Sequence, residues 1–214
     1  SANQPNAKDS ANSQATQNSA NSQNALFVAL QEKAKIIEPL LTKEIDLLIK
    51  EKVLQEPIDY ALNCKAKRLR PALVLFAAEL IEKKQNDFIP VALEFEFFHN
   101  FTLFHDDIMD NSSMRRGEET VKAKYGNDSA IVCGDALFGC AYNQVCKLSK
   151  KFSSEKVVQA IKLLTEYTIL TGAGQLEEVE LQKKQNATLK EYLEVIRKKT
   201  GTLFAGALET TMLL

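Results

Sequence analysis

The sequence predicts an all-α domain. Three observations carry this. Apolar residues recur at spacings of three and four from residue 25 onward, the helical period. No glycine occurs before Gly117, and no β-branched run alternates with period two over a useful length. With 214 residues, 45% of them hydrophobic, the chain can bury a substantial single core.

The elements follow in order. Residues 1–24 are almost all Ser, Ala, Asn and Gln, and "SANSQ" occurs at 10–14 and again at 19–23. Such a segment has no apolar face to bury and reads as a disordered leader or tag. The fold is therefore expected in residues 25–214. "ALFVALQEKAKIIEPLLTKEIDLLIKEKV" (25–53) reads as the first helix. Further helices are predicted near 70–84, 89–110, 128–149, 154–172, 174–184 and 188–213. Pro71 and Pro90 fall near helix starts, where the missing N–H costs little. The last helix runs into "GALETTMLL" without a cap, so the sequence reads as truncated at its C-terminus.

Composition narrows the function. A formal net charge of −1 gives no support for general nucleic-acid binding. No run of eighteen apolar residues is present, so no membrane span is expected. The four cysteines, Cys64, Cys133, Cys140 and Cys146, form no C-x-x-C pair and fit reduced thiols in a cytoplasmic protein.

Chemistry concentrates in "FHDDIMDNSSMRRG", residues 104–117. Asp106, Asp107 and Asp110 close an apolar helix, and residues three or four apart share a helix face. Two carboxylates about 6 Å apart at an effective dielectric of about 20 repel by roughly 3 kcal/mol. A hard divalent cation would relieve that, and Mg2+ commonly takes one or two carboxylates together with substrate phosphates. Arg115 and Arg116 follow, and guanidinium forks fit phosphate oxygens. Acids for metal beside arginines for phosphate suggest a diphosphate site. A solvated acidic helix end has the same composition, so this motif alone leaves both readings open.

A second basic cluster, "CKAKRLRPAL" (64–73), places Lys65, Lys67, Arg68 and Arg70 just before a helix. Helix N-termini favour anions, although a solvated basic loop would look alike. His99 lies seven residues before Asp106, two turns away on the same face. His105 is off that face and reads as structural. "GAGQLEEVE" offers Gln175 and Glu178. "KKTGTLFAGALE" sets Lys199, Thr200 and Gly201 inside a helical run, where glycine costs about 1 kcal/mol against alanine and marks a kink.

Taken together, "KRLRP", "FHNFTLFHDDIMD", "MRRG", "GDALF", "GQ" and "KTG", in this order, resemble the trans-prenyltransferases, the polyprenyl synthetase family of farnesyl and geranylgeranyl diphosphate synthases. The resemblance runs from about residue 25 to 214, the N-terminal two-thirds of such a domain. It implies an isoprenoid synthase-type helical bundle around a central cavity, usually in a homodimer. It implies head-to-tail condensation of isopentenyl diphosphate with an allylic diphosphate. By this likeness Asp106, Asp107 and Asp110 form the first aspartate-rich motif, with Asp106 and Asp110 carrying Mg2+. Arg115 and Lys199 resemble the allylic diphosphate clamps, with Thr200 and Gln175 near the reacting centre. Lys67, Arg70, His99 and Arg116 resemble the residues that hold isopentenyl diphosphate. Phe101 resembles the floor that limits chain length, which implies a short all-trans product, geranylgeranyl ahead of farnesyl diphosphate.

Three departures stand out. The family usually has two glycines where Lys65 and Ala66 stand, which leaves the loop less able to wrap a phosphate. Glu178 replaces an aspartate. The family's second aspartate-rich motif lies beyond the residues present. That last departure raises an alternative, a non-catalytic partner subunit of a heteromeric prenyltransferase. A head-to-head synthase does not match "KRLRP" and "MRRG" at these places.

Overall fold

In the computed structural model, residues 7–214 are described, with side chains from residue 25 onward. Nine α-helices follow one another among the described residues: α1 (Ala7–Leu48), α2 (Lys52–Asn63), α3 (Leu69–Leu80), α4 (Ile89–Met109), α5 (Val121–Tyr125), α6 (Asn127–Lys147), α7 (Ser154–Gln182), α8 (Leu189–Ile196) and α9 (Thr202–Leu213). A two-stranded hairpin, β1 (Met114–Arg115) and β2 (Glu118–Glu119), follows α4. No helix among the described residues is long and apolar enough to cross a membrane.

α4 is the axis of the bundle. Residues 91–98 are all buried, on every side of the helix. A helix buried all round belongs inside a core, and α4 packs along α6 and against α3 and α9. Phe95, Phe97 and Phe98 are completely buried, with Phe88 at the start of the same helix. This places the acidic end of α4 where the core opens, not on a solvated surface helix.

The first helix differs from expectation at both ends. Residues 1–6 of the expected leader lie outside the described residues, and the backbone of 7–24 is helical. That stretch contains no glycine or proline to interrupt it. Side chains join the core only from Ala34 onward. At its other end α1 stops at Leu48 and the chain turns before α2. The turn buries Ile49 and lets α2 bring Ile58 and Leu62 into the core.

The expected break near residue 173 is absent: α7 is one helix from Ser154 to Gln182. Gly174 serves close approach instead. A Cβ there would sit 2.5 Å from the backbone N of Lys199. The kink expected at Lys199–Gly201 is present as a π-helical turn, Arg197–Gly201, between α8 and α9. Such turns inside helices are frequent at functional sites.

Candidate active site

The acids at the end of α4 divide into two roles. Asp107 is buried, and its Oδ1 accepts hydrogen bonds from Arg115 Nε at 2.9 Å and Nη2 at 2.7 Å. It thereby anchors the hairpin that follows α4. Asp106 faces the other way: its Oδ1 accepts from Lys199 Nζ at 3.0 Å, and its Oδ2 lies 3.7 Å from Arg115 Nη2. Lys199 also donates to Glu178 Oε2 at 2.5 Å. Partial burial works against the Lys199 charge, but the hydrogen bonds to Glu178 and Asp106 hold its pKa above the usual lysine value. Asp110 caps α4 at its exposed end. Partial burial, then the charge of Asp106, raises its carboxyl pKa.

The Asp106 part of that rise in Asp110 is the repulsion expected from the spacing. Among the described residues no three or more His, Cys, Asp or Glu side chains gather as a metal site. Asp106 and Asp110 are a two-carboxylate set, one helical turn apart, of hard oxygen donors. This fits Mg2+, which completes its octahedron with water and phosphate oxygens.

The hairpin carries the arginines into place. Arg116 and Gly117 both have positive φ, 57° and 89°, as a tight two-residue turn of this twist requires. A left-handed arginine costs conformational energy, the kind of strain that collects at functional sites.

The basic cluster lines a cavity of about 890 Å³ with His99 and Arg116. Arg68 is not one of its free cations. It is buried, donates to Glu96 Oε1 at 2.5 Å and to the Leu62 carbonyl, and Asn100 supports the same carboxylate at 3.2 Å. It acts as a strut between the basic loop and α4. Arg70 stacks 4.5 Å from the Phe204 ring centroid. Burial pushes its pKa down to about 10 despite the Glu96 charge, and it remains protonated at neutral pH. His99 is held well below the usual histidine pKa by burial and then by the charges of Arg70, Arg116, Arg115 and Arg68. It is a neutral imidazole near neutral pH.

A second cavity, of about 1090 Å³, adjoins the first. Arg70 and His99 line both. From there it runs between α4, α7 and α9, with Asp106, Gln175 and Lys199 among its walls and Phe98, Phe101 and Leu203 as apolar lining. Phe101 sits in an aromatic cluster, 5.4 Å from Phe98, 5.0 Å from Phe138 and 4.8 Å from His105 between ring centroids. The Gln175 Nε2 is buried without a hydrogen-bond partner.

Most sequence-predicted residues therefore converge. Lys67, Arg70, His99 and Arg116 line the basic cavity, and Asp106, Lys199, Gln175 and Phe101 line the apolar one. Four predicted residues line neither cavity: Asp107, Asp110, Arg115 and Thr200. Asp107 holds Arg115 and does not line the apolar cavity. Thr200 is exposed and lines neither cavity, because the π turn aims Lys199 inward and its neighbour out. His105, read as structural, lines the apolar cavity and lies 3.2 Å from the Ile131 carbonyl, and the Arg68–Glu96 strut was not anticipated. A carboxylate three residues before His99 on an apolar helix was the available signal for the strut.

Residues 51–214 match the family model described as polyprenyl synthetase. The chain is 35% identical over 155 residues to a geranylgeranyl diphosphate synthase from Methanosarcina mazei, covering 72% of this chain and 47% of that protein. It is 36% identical over 170 residues to a geranylgeranyl pyrophosphate synthase from Geoglobus acetivorans, covering 77% and 52%. In structure it is similar to a geranylgeranyl pyrophosphate synthetase from Pyrococcus horikoshii, with a TM-score of 0.80, 33% identity, and coverage of 90% of this chain and 58% of that one. The chain belongs to the polyprenyl synthetase family. It spans about half the length of the curated relatives it matches.

Proposed function

We propose that this site joins isopentenyl diphosphate head to tail with an allylic diphosphate, giving a short-chain all-trans prenyl diphosphate. The observation that carries this reading is the pair of adjoining cavities. One is lined by the unpaired cations Lys67, Arg70 and Arg116, the other is apolar with Asp106 and Lys199 in its walls, and they meet at Arg70 and His99.

Lys67, Arg70 and Arg116 hold the isopentenyl diphosphate, and neutral His99 adds a hydrogen bond without further charge. Lys199 and Arg115 take oxygens of the allylic diphosphate, and Gln175 has a free amide donor for the same region. Asp106 and Asp110 would hold Mg2+, which when bound neutralises charge on the departing diphosphate. The allylic C–O bond breaks, the isopentenyl double bond attacks the resulting cation, and loss of a proton restores a double bond. Phe98, Phe101 and Leu203 keep water from the cation. Holding both substrates in line makes a bimolecular step intramolecular.

A homodimer belongs to the same reading: α6 and α7 expose Ile131, Val132, Val158 and Ile169. A cytoplasmic setting is supported by the four free thiols.

Product length tests the reading. Incubation with Mg2+, isopentenyl diphosphate and allylic primers should give geranylgeranyl ahead of farnesyl diphosphate. Phe101→Ala opens volume beneath the substrate, where a packed core would lose about 3–5 kcal/mol. A longer chain can fill it, so the variant's products should lengthen. An unchanged distribution at reduced yield would leave Phe101 as core and move the floor elsewhere.

A further inference from the structure

Lys65 stands outside the machinery described so far, yet it lines the basic cavity together with Lys67, Arg70 and Arg116. Residues 65–68 are not helical, and Cys64 before them is extended, with φ −63° and ψ 147°. Lys65, Ala66 and Lys67 all border the same space. Among the described residues none of these four cations lies within ion-pair distance of a carboxylate. The single acid in the cavity wall, Glu96, is already matched by Arg68 at 2.5 Å. The cavity thus carries four unmatched positive charges, one of them from a position where glycine would supply none.

We infer that Lys65 contacts the diphosphate of isopentenyl diphosphate and sets affinity for that substrate, an inference that rests on the function proposed above. A glycine-rich loop grips phosphate through backbone N–H groups brought close by the missing side chains. This loop has lost that option and has gained an ammonium aimed at the same anion. Lys65 is exposed, so its contribution is modest and screened by salt.

The test is calorimetric titration of the chain at low ionic strength with isopentenyl diphosphate, with inorganic diphosphate, and with an allylic diphosphate plus Mg2+. Lys65→Met and Lys65→Gly should each weaken the first two ligands about fivefold, the upper range for an exposed charge pair. Lys65→Arg should retain binding. The allylic ligand should change less than twofold, and the fivefold loss should shrink as salt rises. Tighter binding by Lys65→Gly would show that loop flexibility governs, and would overturn the inference. So would unchanged binding by Lys65→Met. If the unsubstituted chain binds neither isopentenyl diphosphate nor the allylic ligand, the proposed function fails and takes this inference with it.

Discussion

Replacing Asp106 by alanine should weaken Mg2+-dependent binding of an allylic diphosphate at least a hundredfold, about 3 kcal/mol, while the fold stays intact. Asp106 is where three charges meet: Lys199 at 3.0 Å, Arg115 at 3.7 Å, and Asp110 one turn along the helix, whose carboxyl pKa is raised by partial burial and then by Asp106. Removing it takes away half of the two-carboxylate set. The remaining structure tolerates the loss. Lys199 keeps Glu178, Arg115 keeps Asp107, and Asp110 is freed of a repelling neighbour. Thermal stability should therefore shift by less than about 1 kcal/mol, the scale of partly exposed ion pairs. A sharp fall in stability with metal-dependent binding retained would make Asp106 a structural residue.

The second large effect lies in the core. Glu94 is completely buried in α4, and neither carboxylate oxygen has a hydrogen-bond partner. Burial raises its pKa well above the usual carboxylate range, so it is neutral in the folded protein. Met fills similar volume without a polar group. Glu94→Met should stabilise the fold by at least the cost of an unpartnered buried polar group, about 1–3 kcal/mol. The pH dependence follows from the direction of the shift. A raised folded pKa means the folded state holds a proton that the unfolded state releases above about pH 4.3. The wild-type chain is thus favoured below that pH and loses stability as pH rises toward the folded pKa. The advantage of Glu94→Met should grow between pH 5 and pH 8, by no more than about 1.4 kcal/mol per unit. Glu94→Gln should remove the pH dependence but keep the burial cost. An advantage independent of pH, measured by denaturant unfolding, would mean that Glu94 is ionised in the fold and paired.

Helical periodicity was enough to locate α3, α4, α6 and most of α7, because these helices carry long apolar faces. It failed where a boundary depends on tertiary packing. The α1–α2 turn has no glycine or proline at residues 49–51 and exists to bury Ile49 and bring Ile58 inward. A break was expected near residue 173, but α7 runs through it, and the missing side chain of Gly174 admits the Lys199 backbone. The site was legible where its side chains lie near one another in sequence. Asp106 to Lys199 spans 93 positions, and nothing local in the sequence aims one at the other. Thr200 shows the same limit: adjacency to Lys199 could not say which of the two the π turn points inward. Asp107 and Arg68 sit inside the charged motifs, and only the fold shows that they hold the hairpin and the basic loop to α4.

The central claim is that two diphosphate half-sites of different chemistry meet in one continuous space. Paired binding titrations test it most directly. Isopentenyl diphosphate should bind with or without Mg2+, because the cavity of Lys67, Arg70 and Arg116 needs no metal to balance charge. An allylic diphosphate should bind only with Mg2+, because Asp106 and Asp110 otherwise repel it, and the two ligands should occupy one chain together. Mutual exclusion of the two ligands, or the same metal dependence for both, would contradict the account.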